Sequence, residues 1–198
     1  MSEIEIFENE RAKNYDSFVQ TWIPNYDFFI ELLPRLLQKE NDKNLLVVGC
    51  GTGNEITCFA KADSWTITGV DPSPEMISQA REKLKPFPRI TLVNGELKEL
   101  PTAPAFGAAT LLLVLHFLKD NGAKQNLLLE IAKRLKAGAP LVVLDITGDE
   151  NQIKSNLEVL RSTIPAWLEE EQIQQRVERI ESALHYVSEN RLNELLMQ

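Results

Sequence analysis

The chain has 198 residues, of which 43% are hydrophobic and 25% charged, as is typical of a soluble globular protein with one full-sized core. Its formal net charge of −8 gives no strong signal for nucleic acids or anionic membranes, because binding to either requires a basic surface. The two cysteines are too few for a disulfide framework or a metal site, and the acidic N-terminus is unlike a signal peptide. No apolar run is long enough to span a bilayer, so we expect a cytoplasmic protein.

Predicted strands alternate with predicted helices through the middle of the chain. A first amphipathic helix is predicted at residues 27–38, and short, mostly apolar runs predict strands at 45–48, 65–70, 90–93, 108–114 and 140–146. Helical spacing predicts helices at 53–61, 74–84 and 121–135. Ser73 should cap the second of these, with Pro74 in its first turn, and Gly138 should end the third. Strands that are apolar on both faces need cover on both faces. The pattern predicts an α/β fold: a three-layer, doubly wound, Rossmann-like and mostly parallel sheet with helices on both faces.

The two ends of the chain carry helical signals only. Three further amphipathic segments follow the last predicted strand, at residues 153–164, 173–187 and 191–197. We therefore divide the chain into an N-terminal helical cap at 1–40, a Rossmann-like core at 41–148 that binds the ligand, and C-terminal helices at 149–198 that pack on the core.

A glycine-rich turn follows the first predicted strand. It consists of Gly49, Cys50, Gly51, Thr52 and Gly53 and leads directly into a helix. Glycine lets the backbone turn tightly and lets a ligand touch the main chain with no Cβ in the way. Thr52 and Glu55 have the spacing of a capping box, which predicts that they begin the helix. Taken alone, such a turn is explained as well by strand–helix packing as by ligand binding.

Two acidic residues after the next strands favour ligand binding. Asp71 lies about 20 positions beyond the glycines, where a carboxylate can accept hydrogen bonds from both ribose hydroxyls. Glu96 follows the third strand, where it can reach an adenine amino group while Leu97 packs near the ring. We expect the main-chain amides of residues 49–53 and these two carboxylates to converge on one adenosyl group. Asn54 stands where a dinucleotide motif has its third glycine, which argues against a nicotinamide cofactor.

Five motifs together carry a family resemblance. They are LVVGCGTG at 46–53, GVDPSPEM at 69–76, NGEL at 94–97, LLVLHFL at 112–118 and LKAGAPLVV at 135–143. On these motifs, residues 45–146 resemble the class I S-adenosylmethionine-dependent methyltransferases. The resemblance implies S-adenosylmethionine as the cofactor, with the glycine turn at its methionine part, the second-strand acid at the ribose and the third-strand acid by the adenine. The cofactor-binding residues that it implies are Gly49, Cys50, Gly51, Gly53, Asp71, Pro72, Met76, Gly95, Glu96, Leu97, Leu113 and Tyr15.

The sequence departs from the family in three places. Val47 stands where relatives carry an acidic residue, which removes one expected contact to the cofactor amino group, and Gly107 replaces an aspartate before the fourth strand. Relatives also continue, after a helix like the one at 191–197, with two more strands. We therefore expect a sheet that lacks the last two strands and has one open edge, which the tail helices or a partner chain, such as a second copy in a homodimer, could cover.

Methyl transfer from a sulfonium is an in-line displacement, so the protein must mainly align the acceptor, the methyl group and the sulfur. A base is needed only where the acceptor must first lose a proton. The best candidate is His116, just after the fourth strand, although a packing role explains this histidine as well. The resemblance also implies a first helix over the pocket. There Arg11, Tyr15, Trp22 and Tyr26 either form an aromatic lid or simply dock that helix.

The leading hypothesis is a methyltransferase that acts on a small-molecule acceptor. A dinucleotide-dependent reductase is disfavoured by Asn54 and by the lack of a Tyr-x-x-x-Lys pair. Two alternatives stay open: a non-catalytic protein that binds S-adenosylmethionine, either alone or as a partner subunit, and an enzyme that converts the cofactor into a modified sulfonium for RNA modification.

Overall fold

A computed structural model describes residues 6–62 and 64–197 and contains a five-stranded, all-parallel sheet in the order β3-β2-β1-β4-β5. The strands are β1 Asn44–Val48, β2 Thr66–Asp71, β3 Ile90–Asn94, β4 Ala108–Leu112 and β5 Leu141–Leu144. The helices are α1 Asn9–Lys13, α2 Tyr15–Trp22, α3 Tyr26–Leu36, α4 Asn54–Lys61, α5 Pro74–Leu84, α6 Ala123–Ala132, α7 Glu150–Thr163, α8 Glu170–Ala183 and α9 Glu189–Leu196. The doubly wound α/β fold and the five-stranded sheet are as the sequence predicts.

The apolar strands are buried on both faces. In β1, Leu45 and Val47 pack with α3, α4 and α5, whereas the alternate residues Leu46 and Val48 pack with α6 and α9. The chain order reverses between β1 and β4, which lie side by side in the sheet. In a parallel α/β sheet this reversal opens a crevice at the carboxyl ends of the strands, which is where a ligand binds.

The C-terminal helices α7 and α8 share a separate apolar cluster, formed by Ile153, Leu157, Val177, Ile180 and Leu184. The cluster gives this part of the chain some core of its own, but the domain boundaries at 40 and 148 stay a prediction. None of the helices in the described ranges is long and apolar enough to cross a bilayer.

The helix predicted at 173–187 spans Glu170–Ala183, and Val187 pairs with Thr147 instead. Three further local predictions differ from the structure, and one is confirmed. The helix predicted at 121–135 spans Ala123–Ala132, so Gly138 lies in the following loop instead of ending the helix. β4 ends at Leu112 because Leu113 adopts a positive φ of 59°. The capping box of Thr52 and Glu55 does not form, since both side chains bond to distant residues. Ser73 caps α5 as predicted: its Oγ accepts from Met76 N at 3.1 Å, and Pro74 follows at the first helical position.

Candidate active site

A cleft of about 1330 Å³ opens at the carboxyl ends of β1, β2 and β4. This volume exceeds the roughly 300–1000 Å³ of a typical small-ligand site, so the cleft has room for two ligands side by side. Eight of the cofactor-binding and catalytic candidates from the sequence analysis lie in its wall: Tyr15, Gly49, Gly51, Asp71, Pro72, Met76, Leu113 and His116.

The glycine turn forms one wall of the cleft, but its amides are already bonded within the protein. Gly49 N and Cys50 N both donate to Val70 O, at 2.9 and 3.1 Å, and Gly51 N donates to the Asp71 carboxylate at 2.9 Å. These three amides thus hold the shape of the turn, and the convergence of residues 49–53 with Asp71 and Glu96 on one adenosyl group stays a prediction. What the turn offers a ligand is a close approach to the bare backbone at Gly49 and Gly51.

Gly49 cannot carry a side chain without strain. Its φ is +71°, and a Cβ would lie 2.4 Å from Val114 Cγ2. We expect Gly49→Ala to lower the free energy of unfolding by about 2–4 kcal/mol, from the left-handed backbone and the collision together. The matched control is Gly138→Ala, since Gly138 has a similar φ of +78° with nothing within 4 Å of a Cβ, and it should cost only about 1 kcal/mol. Urea unfolding of both variants measures the difference, and equal losses would contradict the collision.

Asp71 ends β2 with its carboxylate in the cleft wall, 9% exposed. Its Oδ2 accepts from Gly51 N and its Oδ1 accepts from Ser73 N, both at 2.9 Å. Burial raises the pKa of this carboxyl, and the two backbone hydrogen bonds oppose that rise. Each oxygen keeps a further lone pair, so the group can still accept hydrogen bonds from a ligand diol.

The turn after β3 lies at the same end of the sheet but not in the cleft wall. Glu96 forms an ion pair with Lys98, with Oε2 and Nζ 2.9 Å apart, and Leu97 is buried in the core on the α6 side of the sheet. Gly95 closes the turn, where a Cβ would meet the Glu99 carboxylate. The cleft wall therefore does not include Gly95, Glu96 or Leu97, and their contact with an adenine stays a prediction.

Two other nominated residues lie away from the cleft wall. Gly53 begins α4 with a φ of +81°, and a Cβ there would lie 2.8 Å from Leu84 Cδ1, so this glycine serves the packing of α4 on α5. Cys50 is buried beneath the turn, where burial raises the pKa of its thiol. It lines a much smaller cavity, described below.

A polar network that the sequence analysis missed links α2 to the glycine turn and to α4 and α5. Asp16 accepts from Thr52 Oγ1 at 2.5 Å and from Asn54 Nδ2 at 3.0 Å, and its other oxygen pairs with Lys83 Nζ at 2.7 Å. Burial raises the pKa of Asp16, but the hydrogen bonds from Lys83 and Thr52 lower it more, so the carboxyl stays ionised. The network places the Tyr15 ring against Gly51. Arg11, Tyr15 and Trp22 line the cleft, whereas Tyr26 lines only the small cavity, and the choice between a lid and a docking role stays a prediction.

Glu55 is buried beneath the same turn. Its Oε1 accepts from Thr110 Oγ1 at 2.5 Å, across 55 positions of the chain. Burial is the main cause that raises the pKa of this carboxyl to about 7, and the Thr110 hydrogen bond opposes it. Glu55 and Tyr26 line a cavity of about 10 Å³, which borders Gly49 and Leu113. Sequence spacing assigned Glu55 to a helix cap, and the contact with Thr110 gave no sequence signal.

A second buried pair lies across the cleft. The His116 Nδ1 atom is 2.8 Å from Asp145 Oδ1, and the two side chains are only 5% and 2% exposed. Asp145 also accepts from the backbone amides of Leu115, His116 and Ile146, which fixes the carboxylate in place. With Nδ1–H donating to this carboxylate, Nε2 of His116 keeps its lone pair. Asp145, which the sequence analysis did not single out, thus orients the candidate base.

The far half of the cleft is mostly apolar. Apolar side chains come mainly from α2 and α7, whereas α8 adds Ile180 and polar side chains. The polar residues of this lining are Asn156, Thr163, Gln172, Gln175, Arg176 and Arg179. The Arg176 guanidinium lies 4.4 Å from the centroid of the Phe18 ring. This half therefore suits an apolar molecule, with cationic side chains at its border.

Comparison with known proteins identifies the family. A family model described as a methyltransferase domain matches residues 45–138, which include the glycine turn, Asp71 and His116. This segment belongs to the class I S-adenosylmethionine-dependent methyltransferases.

Curated relatives of the methyltransferase domain act on different molecules. The chain is 35% identical over 107 residues to a demethylmenaquinone methyltransferase of Tropheryma whipplei, covering 53% of this chain and 42% of that protein. It is 28% identical over 121 residues to a tRNA U34 carboxymethyltransferase of Pseudoalteromonas atlantica, covering 59% of this chain and 36% of that protein. The chain thus spans less than half the length of these relatives.

The methyltransferase fold extends over nearly the whole chain. The crystal structure of the plantazolicin methyltransferase BpumL in complex with SAH superposes with a TM-score of 0.70 at 18% identity. The superposition covers 96% of this chain and 69% of BpumL, so the two proteins share a fold that includes the terminal helices.

Proposed function

We propose that this protein transfers the methyl group of S-adenosylmethionine to a small, apolar acceptor in the far half of the cleft. The observation that carries the proposal is that the glycine turn, Asp71 and His116 border one cleft with room for both molecules. The family assignment of residues 45–138 supports the same cofactor.

The near half of the cleft fits the cofactor. The bare backbone at Gly49 and Gly51 allows close approach, and the free lone pairs of Asp71 suit the ribose hydroxyls. Pro72 and Met76 offer an apolar surface beside Asp71. When bound, the cofactor supplies a methyl group on a positively charged sulfur, already activated for displacement.

His116 is the residue we propose as general base. An acceptor hydroxyl or amine becomes a better nucleophile when its proton is removed, and Nε2 of His116 has the lone pair to take that proton. The Asp145 carboxylate then stabilises the imidazolium that forms. Tyr15 and Trp22 lie in the wall of the same cleft, where bound ligands would complete the exclusion of water.

Ligand binding tests the cofactor, and product formation tests the activity. Isothermal titration calorimetry of the full chain should show binding of S-adenosylmethionine and S-adenosylhomocysteine, with no heat from oxidised or reduced nicotinamide dinucleotides. A mass-spectrometric screen of phenols, alcohols and amines with S-adenosylmethionine should then show release of S-adenosylhomocysteine with one class of acceptor. Cofactor binding without release across such a screen would favour the non-catalytic alternative.

Transfer of a carboxymethyl group to RNA is the second candidate. The similarity to a tRNA U34 carboxymethyltransferase favours it. The net charge of −8 weighs against a nucleic-acid substrate, because no general basic excess attracts the phosphates. Nuclease digestion of total RNA after incubation, followed by mass spectrometry, would reveal a carboxymethylated nucleoside if this candidate holds.

A further inference from the structure

A carboxyl group lies below the glycine turn, in the place where the proposed cofactor would put its amino-acid part. Glu55 projects from α4 onto Thr110 of β4, and Thr110 pairs in register with Val47 of β1. The Glu55 side chain therefore lies over the apolar Val47, at the carboxyl end of the two central strands. Among the described residues, only Thr110 donates a hydrogen bond to this carboxyl, so its second oxygen keeps its capacity to accept.

A small cavity connects this carboxyl to the main cleft. Its volume of about 10 Å³ is close to the minimum that one water-sized group requires, and an ammonium group has that size. Tyr15, Gly49 and Leu113 line both this cavity and the main cleft, so the cavity opens next to the cofactor half. Of the described residues that line the cavity, Glu55 alone carries a carboxyl group.

We propose that the Glu55 carboxylate binds the α-ammonium group of the methionine part of the cofactor. The inference rests on the proposed function, because it assumes that the cofactor lies against Gly49 and Leu113. A buried carboxylate gains most from a cationic partner, since the partner offsets the cost of removing the charge from water. Glu55 on α4 would then supply the carboxylate contact to the cofactor amino group. The apolar side chain of Val47 cannot make this contact.

The charge of Glu55 also predicts a pH dependence of binding. The pKa of this carboxyl is raised to about 7, so the group is neutral well below that pH and anionic above it. Affinity for a ligand with an α-ammonium should therefore rise with pH across this range. Burial raises the pKa of the tyrosines and cysteines around Glu55, which takes them further above this range: Tyr15, Tyr26, Cys50 and Cys58. Burial also raises the pKa of Asp16, but its hydrogen bonds lower it more. Burial raises the pKa of Asp71, and a ligand that keeps the ribose but lacks the amino group separates the titration of Asp71 from that of Glu55.

Two matched ligands test the contact in the full chain by calorimetry. The first is S-adenosylhomocysteine, and the second is its desamino analogue, in which hydrogen replaces the amino group. We expect Glu55→Gln to weaken the binding of S-adenosylhomocysteine about 10- to 100-fold and that of the analogue less than about threefold. For the wild type, the affinity for S-adenosylhomocysteine should rise about fivefold from about pH 6 to about pH 7.5, with no rise for the analogue.

A control variant separates the charge from the packing. Thr110→Val removes the internal hydrogen bond of this carboxyl but leaves the carboxylate, so it should change the affinity for S-adenosylhomocysteine less than about threefold at about pH 8. Equal losses for both ligands in Glu55→Gln, or no loss for either, would overturn this inference and leave the proposed function standing. A wild-type protein that binds neither ligand would overturn both. The wild-type pH series keeps the test valid if Glu55→Gln does not fold.

Discussion

Replacing Asp71 by asparagine should weaken the binding of S-adenosylhomocysteine by about 100-fold. Both carboxylate oxygens accept backbone amides, from Gly51 and Ser73, at 2.9 Å. The amide NH₂ of asparagine would therefore face a backbone N–H donor, whichever way the side chain turns. The substitution removes the negative charge, disturbs the glycine turn and leaves a single oxygen for the ribose hydroxyls. Calorimetric titration of the variant measures the loss directly.

The control for Asp71→Asn is Asp42→Asn. The Asp42 carboxylate also accepts a backbone amide, from Asn44 at 3.1 Å, and pairs with Lys136, but it is not part of the cleft wall. Its loss should change the affinity for S-adenosylhomocysteine by less than about twofold. If Asp71→Asn and Asp42→Asn bind the ligand equally well, Asp71 does not hold the ribose.

Replacing His116 by alanine should lower kcat by about 10²- to 10⁴-fold with an acceptor that must lose a proton. The affinity for S-adenosylhomocysteine should change less than about threefold, because the histidine borders the acceptor half of the cleft and has no proposed contact with the cofactor. Added imidazole should restore part of the rate, since it can occupy the vacated space and take the same proton. A purely structural role for His116 would not permit such rescue. The measurement is initial-rate release of S-adenosylhomocysteine.

The second histidine of the chain provides the control for this variant. His185 donates its backbone N–H to His116 O at 2.7 Å, and that contact survives any change of its side chain. We expect His185→Ala to keep kcat within about twofold of the wild type. A loss of kcat in His116→Ala that imidazole does not rescue, matched by an equal loss in His185→Ala, would assign both residues to packing.

The sequence was sufficient to predict the sheet and the position of the cleft. Strand and helix periodicity is local, and the apolar character of β1 and β4 requires burial on both faces, which only a parallel, doubly covered sheet provides. The carboxyl ends of parallel strands lie at one edge, so the glycine turn and Asp71 had to meet there. The cap by Ser73 was equally predictable, because its partner is three residues away.

The chemistry inside the cleft depends on contacts that no local pattern encodes. Asp145 reaches His116 across 29 positions, and Asp16 reaches Lys83 across 67. Glu55 has the sequence spacing of a helix cap. On α4, however, its side chain lies against Thr110 and accepts a hydrogen bond from that hydroxyl instead of capping the helix. The amides of Gly49, Cys50 and Gly51 bond to Val70 and Asp71, which their spacing in the sequence did not indicate. By itself, then, the sequence determined where the cleft lies, because backbone periodicity and strand direction follow from neighbouring residues. Only the tertiary structure decided which carboxylates and which histidine line the cleft and the small cavity beside it, because side-chain partners and burial are set by elements brought together from distant parts of the chain.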